Sequence, residues 1–257
     1  MSTTDSRTQD TLATYVLSLA DDALVSAQRM GEWIASAPQL EEDVALGNIA
    51  LDLLGQARSL LTYAGSLTEP VLTEDDLAYW RDEREFRNVH LVERANGDFG
   101  VAVARLLVLS TYLRELYARL TVSTDETLAA IAAKAVKEVD YHRDHATMWV
   151  LRLGDGTEES RTRMQAALDA EWPYVAELFD GGYVDPVLVE GGAAVDPAQL
   201  RPAFDRRISD VLAEATLRVP DVRPAVTGGR HGVHTEQMGF LLAEMQHLAR
   251  SHPGASW

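Results

Sequence analysis

The sequence of 257 residues predicts an all-α protein. Apolar residues recur at steps of three and four along most of the chain, a spacing that places them on one face of an amphipathic helix. Proline and glycine interrupt these stretches near their ends, for example at Pro38 and Gly154, as expected where helices stop. No stretch shows the two-residue alternation typical of a sheet, so we expect helices to form all of the regular structure.

The composition is that of a globular protein and excludes several classes of function. Hydrophobic residues make up 46% of the chain and charged residues 25%, a balance typical of soluble domains. The absence of cysteine excludes disulfides, thiolate metal sites and cysteine nucleophiles. The formal net charge of −17 argues against nucleic-acid binding, because phosphate contacts require clustered lysine and arginine.

The same reasoning gives an expected location and a domain count. The N-terminal sequence is polar and no apolar run follows it, so no secretory signal is predicted. No segment approaches the roughly 20 apolar residues of a membrane span. We therefore expect a cytoplasmic protein without membrane contacts. Because no linker, internal repeat or low-complexity run divides the chain, residues 1–257 are predicted to form a single domain.

Two long helices are predicted at the start of the chain, over residues 11–36 and 40–66. Since only a few residues join them, they should pack antiparallel. Apolar residues of the second helix form its predicted buried face: Leu46, Ile49, Leu53 and Leu60. A polar row runs beside that face: Asn48, Asp52 and Gln56.

Residues 67–97 lack sustained periodicity and are expected to form a short helix and a charged crossover. Further long helices are predicted over 98–120 and 126–153. The C-terminal part is expected to add helices over 158–179, 198–218 and 235–250. A long crossover between helix pairs is a feature of ferritin-like bundles. The predicted fold is therefore an all-α, ferritin-like four-helix bundle core with additional C-terminal helices.

The helix over 126–153 carries ionisable groups on the face that is predicted to be buried. One stripe of this helix contains Ile131, Ala135, Glu138, His142, His145 and Trp149. Burying such groups is unfavourable unless they are paired or bind a metal. An acidic residue and a histidine one turn apart in a helical chain indicate a carboxylate-bridged di-iron site. That site takes a Glu from each of two helices and a Glu-x-x-His from each of two others.

The other helices do not complete this ligand set. On the second helix the expected Glu-x-x-His reads Asp52 with Gly55 in the histidine position. On the third, Arg105 lies about level with Tyr141 and within a turn of Glu138 and His142, and arginine does not deprotonate in proteins. The candidates on the first helix are Asp21, Asp22 and Gln28. We therefore predict a vestigial site with no bound metal, in which Arg105 pairs with Glu138 and with Asp52 as a second partner.

Two loops are candidates for contact with a substrate or a partner. The crossover places an aromatic ring among hydrogen-bonding groups, and loops on rigid scaffolds often carry binding residues. Its residues are Glu85, Phe86, Arg87 and Asn88. The simpler alternative is that Phe86 pins the loop to the bundle. The second candidate is an apolar, proline-containing loop with Pro186, Val187 and Leu188.

A glycine run at residues 228–232 is predicted to be a flexible loop before the last helix. No strand precedes it and its spacing is not that of a phosphate-binding loop. His231 and His234, which lie in and just after the run, are expected at the surface or at a helix cap rather than as metal ligands.

Several segments together resemble one known family. They are GEWIASAPQLEEDVALGNIALDLLGQAR, RDEREF, AAKAVKEVDYH, AVDP and LLAEMQHL, with the final Trp257. They resemble the phenylacetate-CoA oxygenase (ring-1,2-phenylacetyl-CoA epoxidase) subunit family usually called PaaC, along nearly the whole chain. The resemblance implies a ferritin-like helical fold and a role in the multicomponent epoxidase of aerobic phenylacetate degradation.

In that family this subunit is the structural, non-catalytic partner. The resemblance implies that this chain holds no cofactor and that a homologous catalytic subunit carries the di-iron centre. It also implies a reductase with FAD and an iron–sulfur cluster that takes electrons from NADPH. The expected partners are the di-iron oxygenase subunit in a hetero-oligomer, the other oxygenase subunits and the reductase, with phenylacetyl-CoA met through the complex.

Two other functions stay open at this point. One is a di-metal ferritin-like oxidase or oxygenase with its own site at Asp52, Glu138 and His142. The other is a free-standing helical binding protein. Co-purification with the products of neighbouring genes and a measurement of bound iron distinguish the three functions.

Overall fold

The structure is a computed structural model that describes residues 3–255. Within those residues the regular structure is helical, and the predicted all-α, ferritin-like fold with additional C-terminal helices is confirmed. The α-helices are α1 (Thr3–Gly31), α2 (Leu40–Ser66), α3 (Glu74–Tyr79), α4 (His90–Glu93), α5 (Phe99–Leu120), α6 (Glu126–Gly154), α7 (Glu158–Glu171), α8 (Pro186–Glu190), α9 (Arg201–Glu214) and α10 (Glu236–Ser251). Trp257, which contributes to the family resemblance, lies outside the described residues.

The helices group into two compact units. The first comprises the chain up to Ala95, Tyr183–Glu190 and the chain from Thr227 onward. The second comprises Asn96–Gly182 and Gly191–Val226. The assignment of residues 1–257 to a single domain stays a prediction. No helix of the described residues is long and apolar enough to cross a membrane.

The first unit is built on the pair α1 and α2. Helix α2 has the predicted bounds, and its predicted inner residues are buried: Leu46, Ile49, Leu53 and Leu60. Helix α1 ends at Gly31, five residues before the predicted end, because the chain turns there towards α2. Asp43 of α2 accepts hydrogen bonds from the backbone N–H groups of Ala35 and Ala37, which fixes this connection.

The crossover begins where α2 ends. Gly65 lies where a side chain would not fit, since a Cβ at this position would lie 2.1 Å from the carbonyl oxygen of Leu72. The predicted short helix is α3, and its N-cap is Thr73, which accepts from the N–H of Asp76. A 3₁₀ turn at Glu83–Glu85 and the short α4 follow. In the same unit α8 packs on α1, and α10 packs on α1, α3 and α4.

The second unit is built on the pair α5 and α6. Asp98 and Asp125 cap the two helices by accepting from backbone N–H groups one turn later. Phe99 at the start of α5 meets Trp149 near the end of α6 edge to face, 4.9 Å between ring centroids, as an antiparallel pair requires. Helices α7 and α9 pack against both.

The C-terminal helices differ from their predicted bounds. The helix predicted over 158–179 is α only as far as Glu171, and Trp172–Phe179 is 3₁₀, since Pro173 has no N–H to continue the α-helical pattern. The helix predicted over 198–218 is shorter, Arg201–Glu214, and Thr216 with φ of 58° ends it. The final helix, predicted over 235–250, is α10.

Candidate functional site

Two neighbouring carboxylates lie inside the first unit on α1. Asp21 and Asp22 are 0% and 1% exposed, although an α-helix rarely buries two consecutive acidic residues. Asp21 accepts from both terminal nitrogens of Arg81, at 2.5 and 3.0 Å, and from the backbone N–H of Arg87 at 2.8 Å. The guanidinium of Arg81 also lies over the ring of Phe86, 4.1 Å from its centroid.

Asp22 has a second, separate arginine. Its carboxylate accepts from Arg230 at 2.6 Å and from the backbone N–H of Val89 at 2.9 Å. Arg230 also donates to the carbonyl oxygens of Ser18 and Arg87 and lies over the ring of Tyr183. Burial raises the pKa of Asp22, and the charge of Arg230 acts in the opposite direction. The buried carboxylate of Asp22 and the buried guanidinium of Arg230 therefore stabilise each other.

In the second unit Arg105 is held by a carboxylate that was not among the predicted site residues. Its Nε lies 2.9 Å and its Nη2 3.4 Å from the two oxygens of Glu171, at the end of α7. Its Nη1 lies 3.4 Å from the amide oxygen of Asn96. Arg105 is 7% and Glu171 1% exposed. Glu171 reaches Arg105 because α7 packs on α5. The pairing of Arg105 with Glu138 stays a prediction.

The buried face of α6 is rotated from the predicted stripe. It runs through Leu128, Ala132, Ala135, Val139, His142, Ala146 and Val150. His142 and His145 are 1% and 8% exposed, as predicted. Glu138 lies at the edge of this face, and one of its oxygens is 3.4 Å from Nζ of the exposed Lys134. Glu138 therefore points partly to solvent and is not the central buried carboxylate that the spacing predicted.

The ligand set proposed for a di-metal site is distributed over both units. Asp52 belongs to α2 of the first unit and is partly exposed. Glu138 and His142 belong to α6 of the second unit. The di-metal alternative and the predicted absence of a metal both stay predictions.

A buried ion pair lies at the start of the last helix. Nδ1 of His234 is 2.6 Å from the carboxylate of Glu93, and both side chains are fully buried. Glu93 also accepts from the backbone N–H of Thr235 and from the amide of Asn88. Burial alone would lower the pKa of His234, but the hydrogen bond and charge of Glu93 outweigh burial and raise it. Burial would raise the pKa of Glu93, and its bonds to His234 and Thr235 lower it.

His90 joins this pair to form a group with the composition of a metal site. The ligand atoms of His90, Glu93 and His234 lie within 4.8 Å of one another. However, Nε2 of His234 lies 3.1 Å from the carbonyl oxygen of Phe86, while Nδ1 faces Glu93. Both ring nitrogens face oxygen atoms, which favours the doubly protonated ring, and such a ring has no lone pair for a metal. We interpret the group as a buried imidazolium–carboxylate pair.

His234 was expected at the surface or at a helix cap. Its side chain is buried directly before Thr235, the N-cap residue of α10, so the surface alternative is wrong. His231 is exposed, as predicted. The glycine run allows the chain to pass close to the backbone of the crossover, since a Cβ on Gly229 would lie 2.1 Å from the carbonyl oxygen of Asn88. A glycine run followed by histidine is a weak signal in sequence, and nothing in the sequence links it to Glu93.

The crossover loop is pinned inside the first unit. Phe86 and Asn88 are 0% exposed, so they cannot form the predicted contact surface, and the simpler alternative for Phe86 is correct. Backbone groups of Arg87 bind Asp21 and Arg230, as described above. Glu85 is exposed and caps the 3₁₀ turn by accepting from the N–H of Asp82. Of the four predicted residues, Glu85 and Arg87 retain accessible surface.

The second predicted contact loop is the short helix α8. Pro186 and Val187 are exposed, and Val187 is 59% exposed. Leu188 is 3% exposed, because α8 packs on α1, and it does not belong to an accessible surface.

The buried ionic groups act chemically as charge pairs. Asp21, Asp22 and Glu171 each accept from an arginine that stays protonated at any physiological pH. If a carboxylate that neutralises a buried guanidinium bound a metal instead, the arginine would be left as an unpaired buried charge, which is unfavourable. These carboxylates are therefore suited to holding helices and loops together rather than to binding iron.

Comparisons with known proteins agree with this architecture. The model of the family described as "Phenylacetic acid catabolic protein" matches residues 1–257. The chain is 48% identical over 246 residues to a subunit of the 1,2-phenylacetyl-CoA epoxidase of Escherichia coli (strain K12), covering 96% of this chain and 99% of that protein. With its helical fold and full-length match, the chain belongs to the phenylacetic acid catabolic protein family.

Proposed function

We propose that this chain is the non-catalytic structural subunit of a multicomponent ring-1,2-phenylacetyl-CoA epoxidase. Its role is to support the homologous di-iron catalytic subunit in aerobic phenylacetate degradation. The Escherichia coli relative is named as one subunit of 1,2-phenylacetyl-CoA epoxidase, which supports a place within a complex of several chains. The chain is cytoplasmic in this proposal.

The observation that carries the structural role is the pairing of buried carboxylates with arginines. Asp21 and Asp22 lie on α1, the helix whose acidic residues were candidates for a metal site, and Arg81 and Arg230 neutralise them. Glu171 and Arg105 repeat the arrangement in the second unit. Gly55 lies where a ligating histidine would be needed on α2. In this proposal the buried charge pairs stabilise the fold of this chain, and another subunit carries out the chemistry.

The partners follow from this assignment. The catalytic subunit supplies the di-iron centre, and a reductase with FAD and an iron–sulfur cluster supplies electrons from NADPH. This chain forms a hetero-oligomer with the catalytic subunit, alongside the other oxygenase subunits. Phenylacetyl-CoA is bound by the complex as a whole.

Reconstitution tests this function directly. The catalytic subunit is assayed for turnover of phenylacetyl-CoA with the reductase and NADPH, in the presence and absence of this chain. We expect a stable complex and activity that requires both chains. Full turnover by the isolated catalytic subunit contradicts the proposal. Stoichiometric iron on this chain, bound at Asp52, Glu138 and His142, would favour the di-metal alternative, and failure to bind any oxygenase subunit would favour a free-standing binding protein.

A further inference from the structure

We propose that the outward face of α2 docks a helix of the catalytic subunit. This surface, the α2 stripe, consists of Leu40, Val44, Gly47, Leu51 and Leu54. The inference rests on the proposed function, because the partner, the catalytic subunit, comes from that proposal. It adds which surface of this chain meets that partner and by what kind of contact.

Helix α2 has two apolar faces, and the rest of the described chain covers only one. The inner face packs against α1 and includes Ile49 and Leu53, which are 0% and 1% exposed. On the α2 stripe, by contrast, Leu40 is 75%, Val44 57%, Leu51 65% and Leu54 46% exposed. A helix that is apolar on opposite faces is typical of one buried on both sides. The α2 stripe is therefore suited to a second neighbour.

The spacing of the stripe indicates a helix as that neighbour. From Leu40 to Leu54 the steps are four, three, four and three residues, the pattern by which one helix packs its side chains into the grooves of another. An open groove of about 710 Å³ runs beside the stripe, between it and α1, with Ile34 at one end. Ile34 is itself 61% exposed.

Two glycines of the groove have no evident purpose within the chain. A Cβ on Gly31 or Gly47 would meet no atom of the described residues within 4 Å, and neither has a positive φ. Glycine inside a helix is nevertheless unfavourable relative to alanine. A smooth backbone at Gly47 in the middle of the stripe lets a second helix approach closely, which gives this glycine a role that the isolated chain does not.

The charges of the groove argue against other occupants. None of the described residues that line it is Lys, Arg or His, so the phosphates of an acyl-CoA would find no counter-charge there. A second copy of this chain would bring together two molecules with a net charge of −17 each, which repel. The stripe is uncharged, while Glu41 and Asp52 lie on the same helix beside it. A partner helix with an apolar centre and basic flanks complements this surface.

The exposed area fits the centre of an interface between stable subunits. Fully burying a Leu, Ile or Val side chain removes on the order of 100 Å² from water. The four exposed residues of the stripe and Ile34 average about 60% exposed, so together they offer roughly 300 Å². A standard interface buries about 800 Å² per partner, with an apolar core surrounded by a polar rim. The stripe therefore supplies the core and its surroundings the rim.

Charge introduced into the stripe tests the proposal. The double variant Val44→Asp/Leu51→Asp is compared with the control Val122→Asp/Val226→Asp, whose positions are 82% and 99% exposed outside the stripe. Binding to the purified catalytic subunit is measured by calorimetry, and folding by thermal melting. We expect the stripe variant to bind about 100-fold more weakly and the control to bind like the unmodified chain. Both should melt like the unmodified chain, since all four side chains are exposed.

The outcomes separate the surface from the function. If the stripe variant binds within about threefold of the unmodified chain, the stripe is not the interface, although the subunit assignment survives. If the control weakens binding equally, net charge explains the loss and the proposal fails. If the unmodified chain does not bind the catalytic subunit, both the proposed function and the proposed docking surface are wrong. Self-association or phenylacetyl-CoA binding that the stripe variant alone abolishes would assign the stripe to another occupant.

Cross-linking supplies an independent positive result. The chain has no cysteine, so Leu51→Cys introduces a single thiol that a benzophenone maleimide can label. Irradiation of the labelled complex should cross-link this chain to a helix of the catalytic subunit, and the same label at Val226→Cys should give no such product. A cross-link from position 226 with none from position 51 overturns the proposal.

Discussion

Asp22 on α1 accepts a 2.6 Å hydrogen bond from Arg230, and each side chain is only 2% exposed. Arg230 lies in the 3₁₀ turn before the last helix, 208 residues further along the chain. The same guanidinium binds the carbonyl of Arg87, so it joins the first helix, the crossover and the C-terminal segment. An arginine in this position stabilises the unit because it neutralises the buried carboxylate of Asp22.

Removing Arg230 should destabilise the protein strongly. Arg230→Ala leaves the carboxylate of Asp22 buried without its cation, and breaking a buried pair from one side costs about 3–5 kcal/mol. Arg230→Met with Asp22→Asn should recover much of that loss, because neither substitution then leaves a buried charge. The free energy of unfolding in urea checks both statements, and the coupling energy should exceed about 1 kcal/mol.

An exposed ion pair provides the control for this experiment. Arg58, whose side chain is 73% exposed, lies 2.6 Å from Glu74. Arg58→Met should lower the free energy of unfolding far less than Arg230→Ala does, as is usual for surface pairs. Equal losses at Arg58 and Arg230 would show that burial does not determine the cost.

The pairing of Arg105 with Glu171 makes a second, independent prediction. The side chains are 9% and 2% exposed, so Arg105→Met and Glu171→Gln should each destabilise the second unit and should not be additive. We expect a coupling energy above about 1 kcal/mol in urea unfolding. The cycle of Arg105→Met with Glu138→Gln should show a smaller coupling. The reverse order would restore Glu138 as the principal partner and contradict the geometry of α7.

The helices were largely predictable because their signals are local. The bounds of α2 follow from the apolar spacing, from the acidic residues of its first turn and from the short connection before it. Local signals also located α5 and α6, whose N-caps are Asp98 and Asp125. The exceptions are equally local in cause. Pro173 changes the last turns of the α7 segment to 3₁₀, which periodicity alone does not register.

The ionic network was not predictable in the same way, because its partners are distant in sequence. The spacing on α5 correctly placed Arg105 inside, but its carboxylate is 66 residues away on a helix whose packing the sequence did not specify. A stripe drawn at ideal spacing also placed Glu138 at the centre of α6, whereas a small rotation puts Val139 there. A burial pattern thus predicts that a charge needs a partner without identifying which one.

Iron content distinguishes a structural subunit from a di-metal enzyme. Expressed alone in iron-replete medium, this chain should retain less than about one iron per molecule, since a carboxylate-bridged site needs ligands from four helices. The motivating residues are Gly55 and Arg105, in the positions where ligands were expected. Metal analysis after treatment with a chelator provides the measurement. Two irons per chain that survive chelation would contradict the structural role.

The pair of His234 and Glu93 makes stability depend on pH in a defined window. The pKa of His234 is raised from its ordinary 6.5, so its contribution is complete below that pH and is lost as pH rises through the raised value. The pKa of Glu93 is lowered from its ordinary 4.5, so its contribution is complete above that pH and is lost as pH falls through the lowered value. Stabilisation by the pair is therefore greatest between about pH 4.5 and 6.5.

Substitution of His234 tests this window. The free energy of unfolding of the unmodified chain should exceed that of His234→Gln most near pH 6, and the difference should shrink at alkaline pH, because the neutral imidazole no longer forms an ion pair. Glu93→Gln should remove the same pH dependence, since it deletes the charge that raises the pKa of His234. His231→Gln, at an exposed histidine three residues earlier, is the matched control and should leave the profile unchanged. A difference that stays constant from pH 6 to pH 9, about 2.5 units above the ordinary pKa of histidine, would show that the pair acts through packing rather than charge.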